Sequence, residues 1–264
     1  RFIGVGEGPD DLEPFDPAKH EVLLYAGCAA AYDRRTQKIA KALAALLEFA
    51  GVKFGILGEA EPCCGDCVRR LGQPGYFTEM AAAASKRLAE RGVKTLVALS
   101  PHCYDAYLEH IPAPGAEFRV LHYTQYLAEL LKAGRLAVKK PLALRAAFHD
   151  PCFLGRRHGE YEAPRMLLRA VEQLTLVELP RTREDGLCCG GGAGRMFLET
   201  PPEQRVANLR IAEADEAKAS ALVTSCPFCV TCLEDAARVK NSKVKVLDLA
   251  EVLVAAARSK SAHE

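Results

Sequence analysis

The sequence predicts an α/β fold made of two repeated halves. Each half has a mainly parallel sheet and carries cysteines in its strand-to-helix loops. Three observations predict it. Short apolar runs alternate with amphipathic runs along the chain. The pattern restarts near Pro141. The cysteines keep their register through the restart: Cys28 corresponds to Cys152, and the doublet Cys63-Cys64-Gly65 to Cys188-Cys189-Gly190. "LVALSPHC" corresponds to "LVTSCPFC" and "VLHYTQYLAELL" to "VLDLAEVLVAAA", all at offsets of 124 to 126 residues. A fixed offset marks a duplicated unit. Strand–helix alternation within each copy predicts a Rossmann-like parallel sheet covered by helices.

Taken in order, residues 1–19 mix glycine, proline and acids without a period and read as an irregular arm. The glycines of "GVGEG" follow no strand, so they make a poor dinucleotide loop. Residues 20–140 form the first repeat. "EVLLYAG" is a strand, 31–50 a helix, "VKFGIL" a strand and 77–91 a helix. "KTLVALS" is a strand with a short helix from Tyr104, and "FRVLHY" is a strand followed by the helix "TQYLAELLKAG", which Gly134 can cap. Residues 141–264 form the second repeat. Its strands are "LRAAFHD", "TLVELP", "SALVTS" and "KVKVLDL". The helices that follow them span 164–173, 203–218, a stretch from Pro227, and a terminal run to about 258. In such sheets ligands sit beyond the carboxyl ends of the strands, and every cysteine doublet and C-x-x-C falls in such a loop.

The bulk properties narrow the function. A net charge of +1 in 264 residues excludes a general nucleic-acid binder, which needs a basic face. No apolar run reaches the ~18 residues of a membrane span. No charged-then-apolar leader opens the chain, which predicts a cytoplasmic location. The start at Arg1 rather than methionine predicts further sequence upstream. Eleven cysteines serve either disulfides in an oxidising compartment or metal in a reducing one. The odd count and the lack of a leader favour metal.

The second repeat states the chemistry most clearly. Cys152 is followed by 35 residues and then Cys188-Cys189-Gly190; another 35 residues lead to Cys226-Pro227-Phe228-Cys229. Five thiols thus lie on three loops at one end of a sheet. Adjacent side chains of a strand point to opposite faces. Aiming both members of the doublet at one object therefore needs a sharp bend, which Gly190, Gly191 and Gly192 permit. A closed zinc site uses four ligands, whereas soft thiolates in greater number suit an iron–sulfur cluster. Pro227 is placed to open a helix whose free N–H groups face that site. Two other readings compete. "CPFC" alone resembles a thioredoxin-like pair, but three more thiols share its spacing. The glycine run lacks the Lys-Ser/Thr of a phosphate loop. Cys232, one helical turn beyond Cys229, reads as a small buried hydrophobe.

The pattern Cys-x35-Cys-Cys-Gly-x35-Cys-x-x-Cys resembles the cysteine-rich CCG domain of the heterodisulfide reductase catalytic subunits. "GCAAAYDRR", "HDPCFLGRRHGEYEAPR" and "LPRTREDGLCCGGGAGRM" look most like the Fe–S oxidoreductases of that family linked to electron-transfer flavoprotein. The resemblance covers about 20–257. It implies a non-cubane [4Fe-4S] cluster held by Cys152, Cys188, Cys189, Cys226 and Cys229. It implies an oxidoreductase subunit that passes electrons between a flavoprotein or ferredoxin-like partner and a quinone or disulfide acceptor. It also implies a membrane quinone-reactive subunit as a further partner, with the ferredoxin-like module upstream or on another chain. In the heterodisulfide reductases themselves the resemblance implies direct disulfide cleavage. A zinc-stabilised scaffold without redox chemistry is the remaining alternative.

The first repeat departs from the pattern. Cys28, Cys63, Cys64 and Cys103 stand where the family has ligands, with 34 residues in each gap, but Ser100 replaces the first cysteine of the C-x-x-C. Cys67 is an extra thiol in the doublet loop. Three outcomes follow: Cys67 completes a second [4Fe-4S] cluster, four thiols hold zinc or a cubane, or the site is empty. His149, three residues before Cys152, and His102, next to Cys103, are candidates to donate to a cluster sulfur or deliver a proton. Satisfied loop histidines are the plainer reading, and His122 and His158 are weaker candidates. Arg156, Arg157, Arg181, Arg183 and Arg195 form a basic set able to guide an acidic partner or anionic substrate, or simply a solvated face.

Overall fold

A computed structural model describes residues 12–257. The "GVGEG" glycines, the rest of 1–11 and residues 258–264 lie outside the described residues. The first half contains β1 (Val22–Tyr25), α1 (Gly27–Tyr32), α2 (Arg34–Phe49), β2 (Phe54–Gly55), α3 (Asp66–Arg70), α4 (Pro74–Glu90), β3 (Thr95–Ala98), α5 (Pro101–Glu109), β4 (Arg119–His122) and α6 (Tyr123–Lys132). The second contains β5 (Leu144–Phe148), α7 (Gly155–His158), α8 (Glu162–Arg169), β6 (Leu174–Val177), α9 (Val206–Glu216), β7 (Ala221–Thr224), α10 (Pro227–Val239), β8 (Lys245–Asp248) and α11 (Leu249–Ala256). The strands form two four-stranded sheets, ordered β2-β1-β3-β4 and β6-β5-β7-β8, and every pairing is parallel. The repeated α/β architecture read from the sequence is therefore present.

Period-two alternation sorts the strand residues between two cores. Leu23 and Tyr25 of β1, with Leu96 and Ala98 of β3, join a core beneath α4 and α5. Val22, Leu24 and Val97 point the other way, towards α2 and α6. That second core runs on into the other half, where α2 packs on α10 and α11, and α6 on α8. Leu43, Leu46 and Leu47 of α2 are fully buried there, each stabilising the fold by about 1.5–3 kcal/mol relative to exposure.

Local chemistry moves several element boundaries. The helix expected over 31–50 is two helices. Asp33 stands between them in an extended conformation, and its carboxylate accepts the Thr36 N–H at 2.8 Å, an N-cap for α2. The α5 helix starts at Pro101, three residues earlier than expected, because Ser100 caps it and Pro101 occupies the first turn. The α8 helix ends at Arg169, and Gln173 beyond it has a left-handed φ of 63°. The α9 helix begins at Val206, after a short 3-10 turn over Pro202–Gln204. The one-turn helices α3 and α7 were not expected. Of the arm, Pro14 bridges Ile56 at the sheet edge and Phe15 is buried.

In each sheet the chain leaves the central pair of strands, β1 and β3 or β5 and β7, towards opposite edges. The crevice beyond their carboxyl ends is the usual ligand position of a parallel sheet. Cys28 and Cys103 follow β1 and β3, and Cys152 and Cys226 follow β5 and β7.

Candidate metal centre

In the second half three loops deliver their thiols to one place. Cys152 Sγ lies 4.0 Å from Cys188 Sγ. From there Cys188 and Cys189, Cys189 and Cys229, and Cys229 and Cys226 lie close enough to shift one another's ionisation. All five sequence-predicted thiols of this half are thus linked, with Cys189, Cys226 and Cys229 buried and Cys152 and Cys188 half-buried. The doublet bends as its composition requires. Gly190 adopts φ +83°, a left-handed conformation that favours glycine, and its N–H donates to Cys188 Sγ at 3.3 Å. Gly191 and Gly192 do not use positive φ. Gly191 is needed for proximity instead: a Cβ there would lie 2.5 Å from Cys232 Sγ.

Cys232, expected as a core residue, is half-buried instead and meets Cys189. The signal for this was its spacing, since residues three apart on a helix share a face, and Cys229 and Cys232 both lie on α10. Cys189 and Cys232 open onto a cavity of about 620 Å³ that Arg195, Met196, Leu198 and Arg238 also line.

The first half repeats the plan with one thiol fewer. Contacts run from Cys28 to Cys63, from Cys63 to Cys64, and from Cys64 to Cys103. Gly65 has φ +71°, and its N–H donates to Cys63 Sγ at 3.5 Å, as at the other doublet. Cys67 stands apart from this chain of contacts and lies near the Gly194 N–H of the opposite half. Ser100 is buried, and its hydroxyl accepts the His102 N–H at 3.3 Å as the cap of α5. Cys28 and Cys63 are exposed, so the first site is more open to solvent than the second.

Buried acids tie the thiol loops together. Glu61, just before the first doublet, accepts the Gly27 N–H at 2.7 Å and the Ala26 N–H at 3.2 Å. Burial raises its carboxyl to about 7, against those two bonds. Asp150, just before Cys152, accepts both terminal nitrogens of the fully buried Arg165, at 2.6 and 3.0 Å, and the Arg183 N–H at 2.9 Å. Burial opposes its ionisation, but Arg165 and the other donors outweigh it and hold the carboxyl below its usual range.

The two candidate histidines both reach the second site. His149 is fully buried; its Nδ1 accepts the Arg210 Nε–H at 3.2 Å, so its Nε2 carries the proton. That Nε2 has no hydrogen-bond partner among the described residues, and the ring lies near Cys189. One donor atom of His149 lies within 4.8 Å of the Cys189 and Cys229 sulfurs. His102, although next to Cys103, turns away from the first site. Its Nδ1 donates to Asp66 Oδ2 at 2.8 Å, and the ring interacts with the Cys226 sulfur. Burial disfavours its charged form, but Asp66 and Cys226 outweigh burial and push it up to about 10. Burial likewise raises the Cys226 thiol, while Cys229 and His102 bring it down to about 6. A hydrogen bond from Cys188 brings Cys152 to about 7. The same sulfur contacts and burial push Cys188 and Cys229 the other way, above the usual thiol range.

The remaining candidates are elsewhere. His122 is a buried helix cap, and His158 donates to Asp105 at 2.9 Å. Most of the basic set is paired internally: Arg157 with Asp105, Arg181 with Glu213 and Arg183 with Glu162. Among the described residues Arg156 and Arg195 form no ion pair, and of these two Arg195 lines the cavity.

The cysteine-rich CCG domain family matches this chain twice, over residues 22–106 and 146–234. An "EtfAB:quinone oxidoreductase" of Syntrophomonas wolfei is 38% identical over 92% of this chain and 35% of its own length. A "probable iron-sulfur-binding oxidoreductase FadF" of Bacillus subtilis is 40% identical over 88% of this chain and 33% of its own. One subunit of the dihydromethanophenazine:CoB--CoM heterodisulfide reductase of Methanosarcina barkeri is 33% identical over 94% of this chain and 61% of its own. The chain spans about a third of the length of the first two. Each match of the family takes in one complete set of thiol loops, Cys28 to Cys103 and Cys152 to Cys232. The chain belongs to the cysteine-rich CCG domain family, of which it holds two copies.

Proposed function

We propose that this protein is the iron–sulfur electron-transfer part of an oxidoreductase complex. The observation that carries the proposal is the convergence of Cys152, Cys188, Cys189, Cys226 and Cys229 from three strand-end loops. Five thiols exceed a closed zinc site and suit a cluster with several irons, the non-cubane [4Fe-4S] type implied by the family. The surroundings fit such a group. An unpartnered buried imidazole nitrogen faces the thiols, the Gly190 N–H points at one of them, and burial excludes water from three of them. When bound, the cluster supplies one-electron storage at a potential set by burial and by hydrogen bonds to sulfur. The protein's own groups hold the thiolates, donate to their sulfurs and fix the loops through Asp150 and Arg165.

The four linked thiols of the first half, Cys28, Cys63, Cys64 and Cys103, suit zinc and a cubane cluster alike. Cys67 is the reserve thiol of that half. The working units are the CCG domains 20–140 and 141–264, preceded by the arm 1–19. One relative named for EtfAB and quinone and another named as a probable membrane-anchored ferredoxin support a flavoprotein or ferredoxin-like donor and a quinone-reactive membrane partner. Among the described residues no helix is long and apolar enough to cross a membrane; a cytoplasmic location, with membrane contact through that partner, belongs to the same proposal.

The cavity beside Cys189 and Cys232 favours a second reading, direct reduction of a disulfide. Its volume of about 620 Å³ admits a small molecule, and Arg195 and Arg238 supply cations for an anionic one.

Iron, zinc and acid-labile sulfide per chain, measured on anaerobically purified protein with EPR, test the proposal. About four irons with sulfide and a dithionite-sensitive spectrum support a second-half cluster. A further zinc, or further iron, assigns the first site. Zinc without iron overturns the proposal in favour of the scaffold reading. Reoxidation of the reduced protein by small disulfides, lost on Arg195→Ala, is the outcome that favours direct reduction.

A further inference from the structure

We infer that the first half supplies a positioning pair, Asp66 and His102, to the thiol centre of the second half. Both residues lie in the loops of the first site: Asp66 follows Gly65 of the doublet loop, and His102 precedes Cys103. Neither side chain serves that site. Asp66 accepts from His102 Nδ1 at 2.8 Å, and the ring lies close enough to Cys226 to interact with its sulfur. The ring occupies a slot made by the second half. Its centroid is 3.9 Å from that of Phe153 and 4.8 Å from that of Phe228. Gly192 closes the slot, where a Cβ would come within 3.7 Å of His102 Cε1.

The pair is braced on both sides of the interface. Arg70 bonds to Asp66 at 2.7 Å and to Asp105 at 3.2 Å, and its guanidinium lies 4.2 Å over the Phe153 ring. Arg157 and His158 of the second half reach Asp105 at 2.7 and 2.9 Å. Asp66 and His102 are both buried, so solvent offers them no substitute partner.

The repeat explains the arrangement. Ser100 and Cys226 hold the same position in the two halves. Where the first half has given up a thiol, the serine hydroxyl caps α5 and takes the backbone N–H of His102. The side chain of that residue then serves the thiol at the equivalent position opposite. The second centre therefore receives one imidazole from each half: His149, oriented by Arg210, faces Cys189, and His102, oriented by Asp66, faces Cys226. A donor on a ligand sulfur favours the more negative, reduced state of a cluster and so raises its potential.

This inference rests on the iron–sulfur reading, and the test separates the two. EPR-monitored redox titration is carried out on the anaerobically purified chain and on H102F, H102Q and D66N. H102F keeps an aromatic ring in the slot and removes both nitrogens; H102Q restores an N–H donor. In H102F the second centre's midpoint falls by at least the equivalent of a tenfold change in the reduced-to-oxidised ratio, about 59 mV for one electron. H102Q recovers part of the shift, and D66N moves the same way by less. An unchanged midpoint and line shape in H102F at parental iron content overturns the inference. So does a shift confined to the signal that Cys63→Ser abolishes. If the parent protein holds no iron, the functional reading fails, and a double-mutant cycle between H102F and C226S in urea unfolding decides the contact alone. A coupling of about fivefold or more in the unfolding constant supports it, and additivity overturns it.

Discussion

Gly191 has space for hydrogen only. A Cβ there would meet Cys232 Sγ at 2.5 Å, a distance that non-bonded carbon and sulfur do not tolerate. Gly191→Ala therefore destabilises the protein by about 1–3 kcal/mol, the usual cost of overpacking, and metal retention by the second half falls with it. The double substitution Gly191→Ala with Cys232→Ala removes the colliding sulfur and recovers most of the loss in a thermal melt. A melt of the double variant as low as that of the single one rules out this clash as the cause. Exposure also orders the reactivity of the thiols. In metal-stripped protein, iodoacetamide modifies Cys28 and Cys63 first and Cys226 and Cys229 last, because only the first two are exposed. Peptide mass mapping over time checks the order. The strand-end thiols were legible in the sequence because the repeat spacing exposes them twice. Cys232 was legible in principle from its helical spacing. The partnership of Asp66 with His102 was not, because it joins residues 36 apart and its target lies across an interface.

At the scale of the element, α6 and α11 begin at equivalent repeat positions with the same device. His122 and Asp248 each cap their helix within a capping box closed by Gln125 or Glu251. Both caps are fully buried, with opposite consequences. Burial lowers His122 from 6.5 to about 3 and raises Asp248 from 3.8 to about 8, although Tyr123 donates to Asp248 at 2.7 Å. Between about 3 and 6.5 the unfolded chain binds a proton on His122 that the native state lacks, so stability rises with pH. Between 3.8 and about 8 the native state keeps a proton on Asp248 that the unfolded chain has lost, so stability falls. The two effects cancel from 3.8 to 6.5. Asp248 then leaves a decline of about 2 kcal/mol between about pH 6.5 and 8. Asp248→Asn keeps the capping oxygen and removes the titration. Its urea-unfolding free energy should lack that part of the parent's decline, and a parallel decline in both proteins contradicts the assignment. Strand and helix order was legible here because short apolar runs and amphipathic runs differ in period. The break at Asp33 and the two-residue length of β2 were harder to read, since a single capping side chain and an edge position decide them.

At the scale of the whole molecule, duplication produced two sheets but not two independent cores. The apolar cluster that begins at Val22 and Leu24 continues through α2 and α6 into α8, α10 and α11 and ends at Ala256. Arg35 fastens the same seam with polar bonds. It reaches Glu234 at 2.5 Å and both carboxylate oxygens of Glu251 at 2.9 and 2.8 Å. These three side chains are less than a third exposed, so the pairing is only partly screened. Arg35→Ala leaves two carboxylates without their cation and costs about 2 kcal/mol, within the range for charge-assisted hydrogen bonds. Because the apolar seam remains, the variant still unfolds in one transition, shifted down in temperature, with both halves melting together. Calorimetry of parent and variant checks this. Two separated transitions in the parent mean that the halves fold independently and that the seam is a docking surface. A single transition that splits only in Arg35→Ala means that the cation, rather than the shared core, joins them. The arrangement of the two thiol centres depends on this seam, because the ring of His102 keeps its place against Phe153 and Phe228 only while the halves stay together.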